Sequence, residues 1–177
     1  MMNPLDTTAL GIGLLVGRLI LGSLMAAHGA QKLLGWFGGY GLSATGGFFE
    51  GLGFHPGRAF AAAASVSELV SGVLVALGLF GPFGPALMLS VMIVAAVSVH
   101  WKHGIFASAN GVEIPLLFGA GGFALALAGP GRFSLDALFG LQALWSPTLA
   151  WIALIVGILG AIVNLAARRP VSAAAST

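Results

Sequence analysis

The sequence predicts an all-α, polytopic membrane protein. Three observations predict it. The chain of 177 residues is 58% hydrophobic and only 7% charged, whereas a soluble domain carries about 25% charged residues to cover its surface. Five apolar segments approach the roughly 17–25 residues that cross a hydrocarbon core: residues 9–34, 59–80, 84–101, 112–128 and 148–167. Glycine- and proline-rich breakers separate them.

The first segment ends in "HGAQKLLGWFGGYG" (28–41), a polar turn followed by a glycine-rich aromatic loop. The connection 35–58 is the longest, and "ATGGFFEGLGF" within it predicts a short interfacial helix. "GPFGP" (81–85) is short enough to make segments two and three an antiparallel hairpin. "HGIFASANG" (103–111) joins three to four, and "GPGRFSLDALFGLQALWSP" (129–147) joins four to five, with Ser134 placed to cap a short helix. Small residues four apart, Gly13 with Gly17 and Ser67 with Ser71, have the spacing that lets membrane helices touch.

Composition also excludes. With no cysteine, disulfides, thiolate metal sites and iron–sulfur clusters are ruled out. Any electron transfer needs a bound cofactor. No cluster of Lys and Arg with interleaved aromatics suggests nucleic acid. "MMNPLDTTAL" has no basic residue before its apolar run, unlike a signal peptide, so the first helix is expected to remain. Five antiparallel helices place Lys32, Arg58, Lys102, Arg168 and Arg169 on one face and Arg132 on the other. The positive-inside rule makes the first face cytoplasmic.

Ionisable residues inside a membrane are costly and mark candidate sites. At 100° per residue, Arg18, His28 and Lys32 share roughly an 80° sector of helix one. Arg18 and Glu68 each lie about ten residues into their segments, near mid-bilayer by a 1.5 Å rise. They are expected to form a structural ion pair. A second polar layer gathers at one face: His28, Gln31 and Lys32 end helix one, His100, Lys102 and His103 end helix three, and Glu113 begins helix four. Trp36, Tyr40, Phe48, Phe49 and Glu50 lie over the same face. Lys32, Gln31, Trp36 and Tyr40 are candidate ligand-binding residues. His28, His100 and Glu113 are candidate catalytic residues, because imidazoles beside a carboxylate relay protons. Snorkelling and the aromatic belt account for Lys102, Trp36, Trp101 and Arg58 equally well. His28 and His100 also stand at similar depths on different helices, as axial haem ligands would, but no ligand motif supports haem. The His100, His103 and Glu113 spacing is a weaker metal signal still, and no metal is expected.

Five stretches in order carry a resemblance: "GRLILGSLMAAHGAQKLLGWFGGYG", "GGFFEGLGF", "SELVSGVLVALGLFGP", "VHWKHGIFASANGVEIPLLF" and "GPGRFSLDALFG". Over residues 11–140 the chain resembles the DoxX family of bacterial membrane proteins. The resemblance implies a four-helix membrane bundle over 1–146, followed by an additional transmembrane helix and short polar tail over 147–177. It implies a multi-pass place in the bacterial inner membrane, in many relatives with a cytoplasmic N-terminus. It further implies a redox-linked role, through similarity to a small subunit of a thiosulfate:quinone oxidoreductase. Its polar positions here are Arg18, His28, Lys32, Glu68, His100, Glu113 and Asp136.

The expected function is therefore a redox-linked, quinone-interacting oxidoreductase subunit. Lys32 and His28 would hold the quinone oxygen, and Glu113 with His100 would move protons. A soluble redox protein would deliver electrons, and membrane lipid surrounds the rest. The rivals are a small-solute or lipid transporter, which the lack of an inverted repeat disfavours, and a non-catalytic scaffold for soluble redox enzymes.

Overall fold

A computed structural model describes residues 4–169, and it is all-helical. The helices are α1 (Pro4–Leu34), α2 (Gly41–Gly51), α3 (Gly57–Leu77), α4 (Phe83–Ala95), α5 (Glu113–Ala128), α6 (Leu135–Leu138) and α7 (Pro147–Ala166). A π-helical turn, Ala96–His100, and a 3-10 turn, Trp101–His103, extend α4. Four spans are long and apolar enough to cross a membrane: Thr8–Leu34, Gly57–Leu77, Phe83–His103 and Pro147–Ala166. The fourth expected segment, 112–128, forms α5, but its 16 residues reach only about 24 Å, short of a hydrocarbon core of about 30 Å. Gly129, at φ 82°, ends α5 in a conformation that favours glycine. The polar end of the expected C-terminal tail, residues 170–177, lies outside the described residues.

Helices α1 and α3 pack most closely, and glycines set their register. A methyl group on Gly22 would lie 2.5 Å from the Gly72 carbonyl oxygen, and one on Gly29 would lie 2.5 Å from the Leu69 nitrogen. Backbone therefore meets backbone, as in small-residue membrane interfaces. The sequence pointed to Gly13 and Gly17 instead. Both lack any neighbouring atom within 4 Å where a side chain would be. The contacting glycines, Gly22 and Gly29, are seven apart rather than four and lie farther along α1, on the face turned to α3.

α3 ends on Gly78 in the left-handed region, with the Leu79 amide bonded to the Leu74 carbonyl. That cap turns the chain into the expected hairpin with α4. Met25, Val75, Met88, Phe118 and Leu125 bring α1, α3, α4 and α5 into one core. α7 joins through Leu154, packed with Ala86 and Ala126. Its C-terminal end is tied to the α2–α3 connection: the Arg169 amide donates to the Gly53 carbonyl, and Arg168 donates to the Leu52 carbonyl while covering Phe54.

The opposite end is closed by a buried carboxylate. Asp136, fully buried, accepts from the Phe80 amide at 3.0 Å, the Gly81 amide at 2.7 Å and the Trp145 indole at 2.6 Å. Ser134 caps α6 as expected, accepting from the Ala137 amide at 3.1 Å.

Candidate functional site

The turn after α1 needs left-handed backbone at Gly35, Phe37 and Gly38, which is why glycine is dense there. Gln31 pins it, donating to the Phe37 carbonyl at 3.1 Å. The turn throws α2 back across α3. Gly46 rests on the backbone of Arg58, and Glu50 accepts from the first amide of α3, Gly57, at 3.3 Å. The predicted interfacial helix is thus the roof of the space between α1, α3 and α4.

Under that roof lies a cavity of about 410 Å³, within the range of small-molecule sites. Apolar groups make most of its wall, among them Phe48, Phe49, Val91 and Val94. Lys32, Tyr40, Thr45, Glu68, Ser98 and His100 supply the polar groups. A smaller space of about 160 Å³ adjoins the glycine-rich turn and shares Lys32, Tyr40 and Thr45 with the cavity. Gln31 lines this smaller space.

Glu68 is 1% exposed and its Oε1 forms an ion pair with Lys32, which is 33% exposed. Glu68 Oε2 has no hydrogen-bond partner among the described residues. His100 holds its ring by an Nδ1 bond to the Asn110 carbonyl at 2.8 Å. A carbonyl only accepts, so Nδ1 carries the proton and Nε2 of the neutral ring is an acceptor. The π turn has a role here. In a continuous α-helix Val99 would follow Ala95 on the same face. The wider turn brings His100 to the cavity as well. Such wide turns recur at functional sites. Nothing in the residues 96–100 announced it. Ser98, a hydroxyl two residues before a histidine in an apolar run, lines the cavity too, and its polar type is a sequence signal for the cavity face but not for the turn.

The expected Arg18–Glu68 pair is not formed. The α1–α3 register puts Glu68 level with the Ala26–Gly29 stretch of α1, so Arg18 lies about 15 Å farther along the axis. Counting residues from each segment's start measured depth but not register. Arg18, buried at 2% exposure, donates to the Ala76 carbonyl at 3.1 Å and to the Phe133 carbonyl. It neutralises the carbonyl end of α3, where a cation is favoured.

Two candidate catalytic residues lie outside the cavity. His28 is exposed and meets Phe118 edge-on at 5.9 Å. By helix phase it sits at the rim of the sector whose centre faces α3, so it turns towards α5. Glu113 accepts from the Ala107 amide at 2.8 Å and thereby staples the 104–112 loop. Trp36 is 59% exposed and packs on Phe37 rather than in the cavity. Lys102 and His103 are exposed. Among the described residues no group of three His, Asp or Glu could hold a metal ion.

The DoxX family model matches residues 13–101, half of the chain. That stretch contains every residue that lines the cavity. No curated protein and no solved structure matches the chain. Four membrane-spanning helices and this match together make the protein a multi-pass membrane protein, and the chain belongs to the DoxX family.

Proposed function

We propose that the cavity beneath α2 binds a lipid-soluble quinone and that the protein is the membrane subunit of a redox system in the bacterial inner membrane. One observation carries this: a largely apolar cavity of about 410 Å³ is lined by the Lys32–Glu68 pair, whose carboxylate is buried, and by an oriented His100. The residues fit such a molecule. The walls suit a substituted ring, and the orphaned Glu68 Oε2 is a buried polar atom that a bound head group would satisfy.

Bound there, the quinone would supply two-electron redox chemistry. The chain's own residues bind, orient and handle protons. Phe48, Phe49, Val91 and Val94 exclude water. Lys32 pairs with Glu68 in the apolar wall. His100, with Nδ1 held by Asn110, presents Nε2 as a proton acceptor. With no cysteine in the chain, electrons come from a soluble redox partner.

Gentle purification followed by an absorbance spectrum and mass spectrometry of the extract tests this reading. Quinone or quinol retained by the wild-type protein and lost from Ala95→Phe, which fills the cavity, with His28→Phe unaffected, is the expected result. Phospholipid alone, together with failure of added quinone or quinol to bind, would overturn it.

A further inference from the structure

Most polar groups that line the cavity are hydrogen-bond acceptors. Glu68 Oε2 is a buried carboxylate oxygen without a partner among the described residues. His100 Nε2 is an acceptor while Nδ1 serves Asn110. The Ser98 hydroxyl gives its hydrogen to the Val94 carbonyl at 2.6 Å, and the Thr45 hydroxyl gives its own to the Gly41 carbonyl at 2.8 Å. Each therefore offers a ligand only lone pairs. Lys32 and Tyr40 are the donors: Lys32 spends one of its three N–H groups on Glu68 Oε1, and Tyr40 is 88% exposed at the mouth.

A bare carbonyl beside this pair could accept from Lys32 but would still leave Glu68 Oε2 orphaned. A hydroxyl would donate to it, and hydrogen bonds to a charged acceptor are the stronger kind. Sites built to bond a hydroxyl also discriminate sharply against analogues that lack it, because their own buried groups are left unpaired.

Resting on the quinone reading above, we infer that the cavity selects the hydroxyl-bearing, reduced form of its ligand: its inner end is a hydrogen-bond acceptor for an amphipathic molecule with a donating head group. Two sources share that chemistry, a quinol and an alcohol of lipid origin.

The test is anaerobic titration of the full-length protein in nanodiscs with four probes: a decyl-tailed benzoquinol, the matching benzoquinone, its bis-O-methyl ether and a decyl alcohol. Binding of the quinol about tenfold to a hundredfold tighter than the quinone and the ether is expected, the size of one lost hydrogen bond to a charged group. Glu68→Gln, whose amide both donates and accepts, should collapse that ratio towards one. The ether comparison uses wild-type protein alone, so it stands even where the variant folds poorly. Quinone binding as tight as quinol would overturn this inference and leave the quinone reading intact. Alcohol binding without any ring compound would sustain the donor inference and overturn the quinone reading. Binding of none of the four would overturn both.

Discussion

Lys32 and Glu68 join α1 to α3 within the cavity wall: Glu68 stands level with the Gly29 contact, and Lys32 reaches back to it from about one turn farther along α1. The glycines bring the two helices close, and that closeness sets which residues stand opposite each other. Glu68 therefore meets Lys32 and not Arg18. The pair is both a structural link and the polar end of the cavity. Its two roles separate under substitution.

Lys32→Met leaves a buried carboxylate without its partner. Removing one member of a buried pair costs about 3–5 kcal/mol, with the lower end expected because Lys32 keeps a third of its surface exposed. Lys32→Met with Glu68→Leu should recover most of that stability, since an apolar pair of similar volume is often neutral or better. Thermal unfolding in detergent reads the stability. Ligand binding, lost in both variants, reads the function. An equally unstable double variant would show that the pair is not the source of the effect.

Glycine positions on α1 should divide sharply. Gly29→Ala places a methyl against the α3 backbone, where only a helix shift relieves it, so a loss at or above the about 1–3 kcal/mol of ordinary overpacking is expected. Gly13→Ala and Gly17→Ala meet open space and should be neutral or slightly stabilising, because alanine is the better helix former by about 1 kcal/mol. Comparing unfolding midpoints of the three variants checks the register.

Asp136→Ala strands two amides and the Trp145 indole. Each unsatisfied buried donor costs about 1–3 kcal/mol, so severe destabilisation is expected. Trp145→Phe removes one donor without orphaning the carboxylate and should cost about 1 kcal/mol. Ligand affinity in folded Trp145→Phe protein should match wild type, since this knot lies at the far end of the bundle.

Glu113→Ala releases the Ala107 amide and should speed hydrogen exchange through the 104–112 loop. Glu113→Gln keeps an acceptor oxygen and should preserve protection. Neither change removes a cavity-lining group, so bound ligand should survive Glu113→Gln. Its loss there would return Glu113 to the role of proton carrier.

The all-α membrane class, the α3–α4 hairpin, the roof helix α2 and the Ser134 cap were legible in the residues. These are local properties: apolar run length, breakers at fixed places and a capping side chain each act within a few positions. Lys32, Tyr40 and His100 were nominated from sequence, and the structure brings them together with Glu68. His28 and Glu113 were nominated on the same grounds and lie elsewhere. Residue type and depth identify a polar group, yet they do not say which way a helix is rotated.

Only the tertiary structure decided that rotation and register. Gly22, Gly29 and Gly72 fit backbone to backbone at one alignment of α1 with α3, and that alignment pairs Lys32 with Glu68 and sends Arg18 to the end of α3. A single extra residue in the π turn then adds His100 to the cavity wall. The chain by itself determined that it folds in lipid as apolar helices carrying a few ionisable groups. Which of those groups meet depended on close packing between segments tens of residues apart, a relation that no local pattern encodes.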